Sequence, residues 1–155
     1  MRQVAIDHAR EDAMKAIDCA EIERQCSQLV AKFALYVDHR RYADVLALFT
    51  SDGSFSRPGL SVSGRQQMSA WLDSRPGNWV TCHFCGPTVF ETMDAGEARA
   101  VTCVTVYQGE ESAGSIPRLE LPAALVEYQD VFRRTDDGWR IASRNVKPIM
   151  AKGAS

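Results

Sequence analysis

Trp79-Val80-Thr81-Cys82-His83-Phe84-Cys85-Gly86-Pro87-Thr88-Val89-Phe90-Glu91-Thr92 is an extended run in which apolar and β-branched residues surround one histidine. Its composition predicts a long β-strand. The turn Asp94-Ala95-Gly96-Glu97, followed by Val101, Cys103, Val104 and Val106, predicts an antiparallel return strand over residues 98–107. A second hairpin is expected from residues 124–135 and 139–146, because Asp136-Asp137-Gly138 between them supplies left-handed turn residues. Residues 108–122 hold two prolines, two glycines and three glutamates, which predicts a loop at a rim or lid. The chain beyond Trp79 is therefore a sheet, and whatever covers it must come from upstream.

Upstream, Ile22, Cys26, Leu29, Val30, Phe33 and Val37 repeat at the spacing of one buried helical stripe, so a helix is expected from Cys19 to about Asp38-His39-Arg40-Arg41. The basic residues suit the negative end of the helix dipole, but Asp38 does not. A short helix over 42–48 turns Val45, Leu46 and Phe49 inward and stops at the turn cluster Thr50-Ser51-Asp52-Gly53. Phe55 begins a short strand that Arg57-Pro58-Gly59 interrupts. Ser63-Gly64-Arg65-Gln66 opens a third helix, with Met68, Trp71 and Leu72 on its apolar side, which Arg75-Pro76-Gly77-Asn78 ends. Helices first and a long antiparallel sheet afterwards predict an α+β fold, with the sheet curving onto the first helix and leaving a pocket. We expect a polar leader over 1–18, one domain over 19–150 and a tail over 151–155.

A chain of 155 residues that is 45% apolar can bury about two-thirds of its unfolded surface without staples. The net charge of −2, with acids and bases interspersed, argues against a nucleic-acid groove or a polybasic membrane anchor. No apolar run approaches the roughly 20 residues of a membrane span, and residues 1–15 lack a signal peptide's apolar centre, so a cytoplasmic location is expected. The five cysteines, Cys19, Cys26, Cys82, Cys85 and Cys103, are expected to be reduced thiols that pack as small apolar residues. Cys82 and Cys85 form a C-x-x-C, yet residues three apart on a strand face opposite ways, and a zinc site would need two further ligands. No metal is expected.

His83 stands inside an apolar strand, whereas His8 lies in the polar leader and His39 among arginines. From residue types alone the plainer assignment leads: a core histidine bonded to a backbone carbonyl, with Asp38 a solvated helix-end carboxylate. The order of motifs reverses it. The two N-terminal helices, Leu48-Phe49-Thr50-Ser51-Asp52-Gly53, Gly64-Arg65, His83 and Phe132-Arg133-Arg134-Thr135-Asp136-Asp137-Gly138-Trp139-Arg140-Ile141 resemble the SnoaL-like branch of the nuclear transport factor 2-like (NTF2-like) superfamily, over about residues 20–148. The resemblance implies a cone in which helices pack into a bent sheet around an apolar pocket, assembled as a homodimer or homotrimer.

Within that branch the chain is most similar to dehydratases related to scytalone dehydratase and the bile-acid dehydratases. Their catalytic pair, an aspartate at the end of the first long helix and a histidine on the next long strand, falls on Asp38 and His83. Where scytalone dehydratase has a second histidine, Tyr107-Gln108 stand here, and Phe33 replaces the pocket tyrosine of the bile-acid enzymes, with Tyr36 close by. The resemblance implies a cofactor-free lyase or isomerase, foremost a dehydratase acting on a hydroxylated cyclic, polyketide-like or steroid-like compound. The carboxylate would orient the imidazole, whose other nitrogen moves a proton. Tyr36, Tyr107 and Tyr128 are candidates to polarise a substrate carbonyl, and Phe33, Phe55, Trp71 and Arg144 are expected to line the pocket. The alternative is a non-catalytic subunit or ligand-binding protein resembling the small (beta) subunit of ring-hydroxylating dioxygenases.

Overall fold

The computed structural model describes residues 2–112 and 114–153, with residues 2–14, 16 and 17 described as backbone only. The leader's side chains other than those of Lys15 and Asp18, His8 among them, and the last two residues of the tail lie outside the described residues. Helix α1 (Arg2–Asp38) leads into α2 (Tyr42–Ala47), the strands β1 (Phe49–Arg57) and β2 (Leu60–Ser63), and helix α3 (Gly64–Asp73). Strands β3 (Trp79–Met93), β4 (Glu97–Glu110), β5 (Ala124–Thr135) and β6 (Gly138–Ala151) complete the chain. They form a six-stranded sheet in the order β2-β1-β6-β5-β4-β3. Only β1 and β6 pair in parallel, so the sheet is mixed, and it stays open, with β2 and β3 at its edges.

The helical stripe behaves as its spacing predicts: Cys26, Leu29, Val30, Phe33 and Val37 are buried. They meet the inward residues of the sheet, which alternate along β4 as Ala98, Ala100 and Val104 and along β5 as Val126, Tyr128 and Phe132. Trp139 and Ile141 from β6 and Met68 and Leu72 from α3 close the core.

Besides β4, which runs to Glu110 into the expected loop, three boundaries differ from the sequence reading. The first helix begins at Arg2 rather than Cys19, so its opening turns run through the polar leader without a capping signal to mark them. Residues 50–53 are not a turn: β1 runs through them with a register shift between Phe49 and Ser54. A side chain at Gly53 would sit 2.9 Å from the Thr50 carbonyl and 3.2 Å from that of Ile141, so this irregular stretch of strand needs glycine. Finally, β6 continues past Lys147 to Ala151. Pro148 is tolerated there because β1 has left its side by Asn145. The turn between β5 and β6 forms as expected, with Gly138 at φ 101°.

The end of α1 is built to hold one residue in place. Arg40 takes a left-handed φ of 55°, its N–H bonds the Val37 carbonyl, and the Arg41 N–H bonds the Tyr36 carbonyl. That is a Schellman cap carried by an arginine where glycine is usual. The Arg40 guanidinium offsets the strain by donating to the carbonyls of Pro76 and Trp79, the latter at 2.7 Å. Arg75, just beyond α3, donates to the Val37 carbonyl at 2.9 Å. These two arginines tie the last turn of α1 to the start of β3.

Candidate active site

Asp38 is the last residue of α1, and the ties just described bring its carboxylate against the free edge of β3. Along β3 the inward positions alternate as Trp79, Thr81, His83 and Cys85. Because β3 is an edge strand, the His83 N–H has no strand partner on that side and donates instead to Asp38 Oδ2 at 2.8 Å. The His83 ring Nδ1 lies 2.6 Å from Asp38 Oδ1, and both side chains are 13% exposed. Thr81 Oγ1 completes the shell, donating to Asp38 Oδ1 at 2.8 Å while it accepts from Arg75 Nη2 at 3.1 Å. An arginine can only donate, so the Thr81 hydroxyl must direct its hydrogen at Asp38.

Burial pushes the Asp38 carboxyl up, but the hydrogen bonds from the His83 ring, the His83 charge, the His83 backbone and Thr81 outweigh it and hold the group below the ordinary aspartate value. Asp38 is therefore an ionised acceptor, His83 Nδ1 carries the hydrogen between them, and Nε2 is the ring nitrogen left for the pocket. A depressed carboxyl stabilises the fold above its unfolded pKa and loses that contribution as pH falls through its folded one. The stability advantage of the wild type over Asp38→Asn is accordingly expected to shrink as pH is lowered below the ordinary value of 3.8, which urea unfolding at a series of pH values will read.

His83 faces a pocket of about 310 Å³ lined by Phe33, Phe55, Trp71, Tyr128 and aliphatic residues of the sheet. Its wall is a run of rings: Phe55 stacks on Trp71 with centroids 4.3 Å apart, Phe33 stacks on Phe55 at 6.0 Å, and Tyr128 meets Phe33 edge-on at 5.8 Å. Burial pushes the Tyr128 phenol well above its ordinary value, with Arg144 acting against the shift, so its hydroxyl keeps its hydrogen. Phe33, Phe55, Trp71, Tyr128 and His83 all line this one pocket.

Three expected pocket residues do not. Tyr36 is half-buried at the core's margin, with the Arg41 guanidinium 4.2 Å above its ring, and is not part of the pocket. Tyr107 pairs with Cys82 in the β3–β4 ladder, one residue out of step with the His83–Val106 pair, so it faces the outer side of the sheet, and Gln108 lines the pocket instead. Arg144 lies beneath the pocket, between the rings of Phe33 at 4.3 Å and Tyr128 at 4.1 Å, with both its Nε and Nη2 on Asp130. Sequence reading passed over Arg75 and Arg57, which the pocket includes, because both sit in Arg-Pro-Gly runs that signal only a turn. The C-x-x-C thiols diverge, Cys82 outward and Cys85 inward, where burial pushes its thiol up. No cluster of potential metal ligands occurs among the described residues.

An open mixed sheet with helices on one face and a pocket between them is the NTF2-like fold. The chain belongs to the SnoaL-like domain family, whose model matches residues 18–145. Among curated proteins it is 28% identical over 125 residues to an uncharacterized protein of Mycobacterium tuberculosis, covering 77% of this chain and 80% of that one. Among solved structures it is similar to a proposed scytalone dehydratase from Novosphingobium aromaticivorans, with a TM-score of 0.75, 16% identity and coverage of 91% and 92%. The beta subunit of a proposed aromatic-ring-hydroxylating dioxygenase from the same organism gives a TM-score of 0.69, 17% identity and coverage of 88% and 94%. At such identities the two structures share the fold. No described helix is long and apolar enough to cross a membrane.

Proposed function

We propose that this protein is a cofactor-free dehydratase, a lyase that removes water from a hydroxylated cyclic compound through Asp38 and His83. The observation that carries the reading is the 2.6 Å contact between His83 Nδ1 and Asp38 Oδ1 at the wall of an aromatic-lined pocket. In the reaction His83 Nε2 takes a proton from the carbon beside a carbonyl. The carbon–oxygen bond at the neighbouring carbon then breaks, and the protonated imidazole returns the proton to the departing hydroxyl, releasing water. One base serves both steps when proton and hydroxyl leave from the same side. Tyr128 keeps its hydrogen and lines the same pocket, so it is a group that can polarise the carbonyl. If elimination does not follow, return of the proton elsewhere makes the same pair an isomerase.

The test is a panel of hydroxylated cyclic ketones, followed by the absorbance of the conjugated product and by deuterium uptake beside the carbonyl. Turnover by the wild type that disappears in His83→Ala supports the reading. Neither turnover nor uptake, with a second polypeptide co-purifying in fixed ratio, would favour a subunit role like that of a dioxygenase beta subunit.

The domain is proposed to span residues 19–150 and to work in the cytoplasm as a homodimer or homotrimer. Val80, Phe84, Val89 and Leu125 project from the outer face of the sheet, Phe84 with 72% of its surface exposed. A second copy laid on this face would cover them. Phe84→Glu is expected to convert the assembly to monomers in sedimentation velocity; an unchanged sedimentation coefficient would contradict the placement.

A further inference from the structure

The pocket's rings favour a flat or cyclic ligand, but its charges carry a second message. Two guanidinium groups, from Arg57 at the end of β1 and Arg75 beyond α3, line it together with His83, and no aspartate or glutamate does so among the described residues. Asp38 lies behind His83 with its oxygens already engaged by the His83 ring, the His83 backbone and Thr81. Beneath the floor, Arg144 and Asp130 cancel one another in a two-pronged pair. The field met by a ligand is therefore positive, in a chain whose net charge is −2.

The two arginines differ in what else they do. Arg75 spends two of its N–H groups on the Val37 carbonyl and Thr81, so part of its presence is explained by anchoring α1. Three of an arginine's five N–H groups remain for a ligand. The Arg57 side chain forms no ion pair or hydrogen bond among the described residues, and the residue ends β1 at the pocket's exposed end. Its guanidinium is solvent-exposed at the apolar-walled mouth, so an anion entering the pocket is a partner it can meet there.

We propose that the pocket takes an anionic ligand, a cyclic or aromatic carboxylate, whose ring lies against Phe33, Phe55 and Trp71 and whose carboxylate meets Arg57 and Arg75. This deepens the dehydratase reading by naming its substrate class. Within that reading, a carboxylate anchored at the mouth fixes which ring carbon lies against His83 Nε2, turning binding energy into orientation.

The experiment compares naphthalene carboxylate with naphthalene carboxamide, the same shape without the charge, by isothermal titration calorimetry at low and high salt. The carboxylate is expected to bind about tenfold more tightly at low salt, with the advantage shrinking as salt rises. Arg57→Gln is expected to remove most of that advantage while leaving the carboxamide affinity unchanged, and Arg57→Glu to reverse it. Arg57 carries the test because Arg75→Gln also loosens α1, which a thermal melt of that variant would reveal. Equal affinities in the wild type, no binding of either probe, or an advantage that persists in both arginine variants would overturn the proposal. The same titration in His83→Ala separates the two claims. A preference retained there, with turnover lost, supports both, whereas equal affinities alongside intact wild-type turnover sink the anion site and leave the acid–base pair standing.

Discussion

His83→Ala is expected to lower kcat/KM by about 10²–10⁴-fold, the usual worth of a positioned acid–base group, with little change in KM because the ring wall still binds the substrate. Asp38→Asn should fall nearly as far, although the two side chains differ by one atom. The aspartate accepts the Nδ1 hydrogen and leaves Nε2 bare. An asparagine amide can instead donate to Nδ1, which moves the ring hydrogen to Nε2 and disables the base. The double variant should be no worse than His83→Ala, because the aspartate acts only through the histidine. Initial rates on a substrate from the ketone panel will show this. Additive losses would mean that Asp38 has a separate role.

Asp130→Ala is expected to be the most damaging single change to stability. Asp130 and Arg144 keep 1% and 0% of their side chains exposed, and Arg144 Nη1 already lacks a hydrogen-bond partner among the described residues. Burial works against the Arg144 charge, but the Asp130 charge and hydrogen bonds outweigh it, so the guanidinium stays charged. Removing the carboxylate strands that charge in the core at a cost of about 3–5 kcal/mol. For a domain of this size that lowers the melting temperature by roughly 10 °C. Replacing both, Asp130→Leu with Arg144→Met, should cost much less, because the orphaned charge is then gone. Urea and thermal unfolding of the three variants give the comparison. A double variant as unstable as Asp130→Ala would show that packing and not charge is at stake.

Asp38 and His83 stood out in the sequence because each breaks a local rule, and the resemblance to the SnoaL-like branch is what paired them. Asp38 sits at the wrong end of a helix dipole, and His83 interrupts an apolar strand. The helical stripe and the Asp-Gly hairpin were legible for the opposite reason, since each obeys one rule over several residues. Where the reading failed, the missing information was register. Tyr107 and Gln108 are neighbours, and only the pairing of His83 with Val106 shows which of them faces inward. Arg144 was expected to line the pocket, but its partner, Asp130, which holds it beneath, appears only when the two are set opposite one another across β5 and β6. Arg40 and Arg75 looked like dipole and turn residues, and their hold on the start of β3 and on α1 is long-range.

The most direct test of the whole account is the protonation pattern of one ring. With the histidines labelled by nitrogen-15, two-bond proton–nitrogen correlations assign the hydrogen in the neutral form of His83. The account predicts Nδ1 protonated and Nε2 bare in the wild type, with the tautomer shifted in Asp38→Asn. A wild-type ring carrying its hydrogen on Nε2 would contradict it, because no base would then face the pocket.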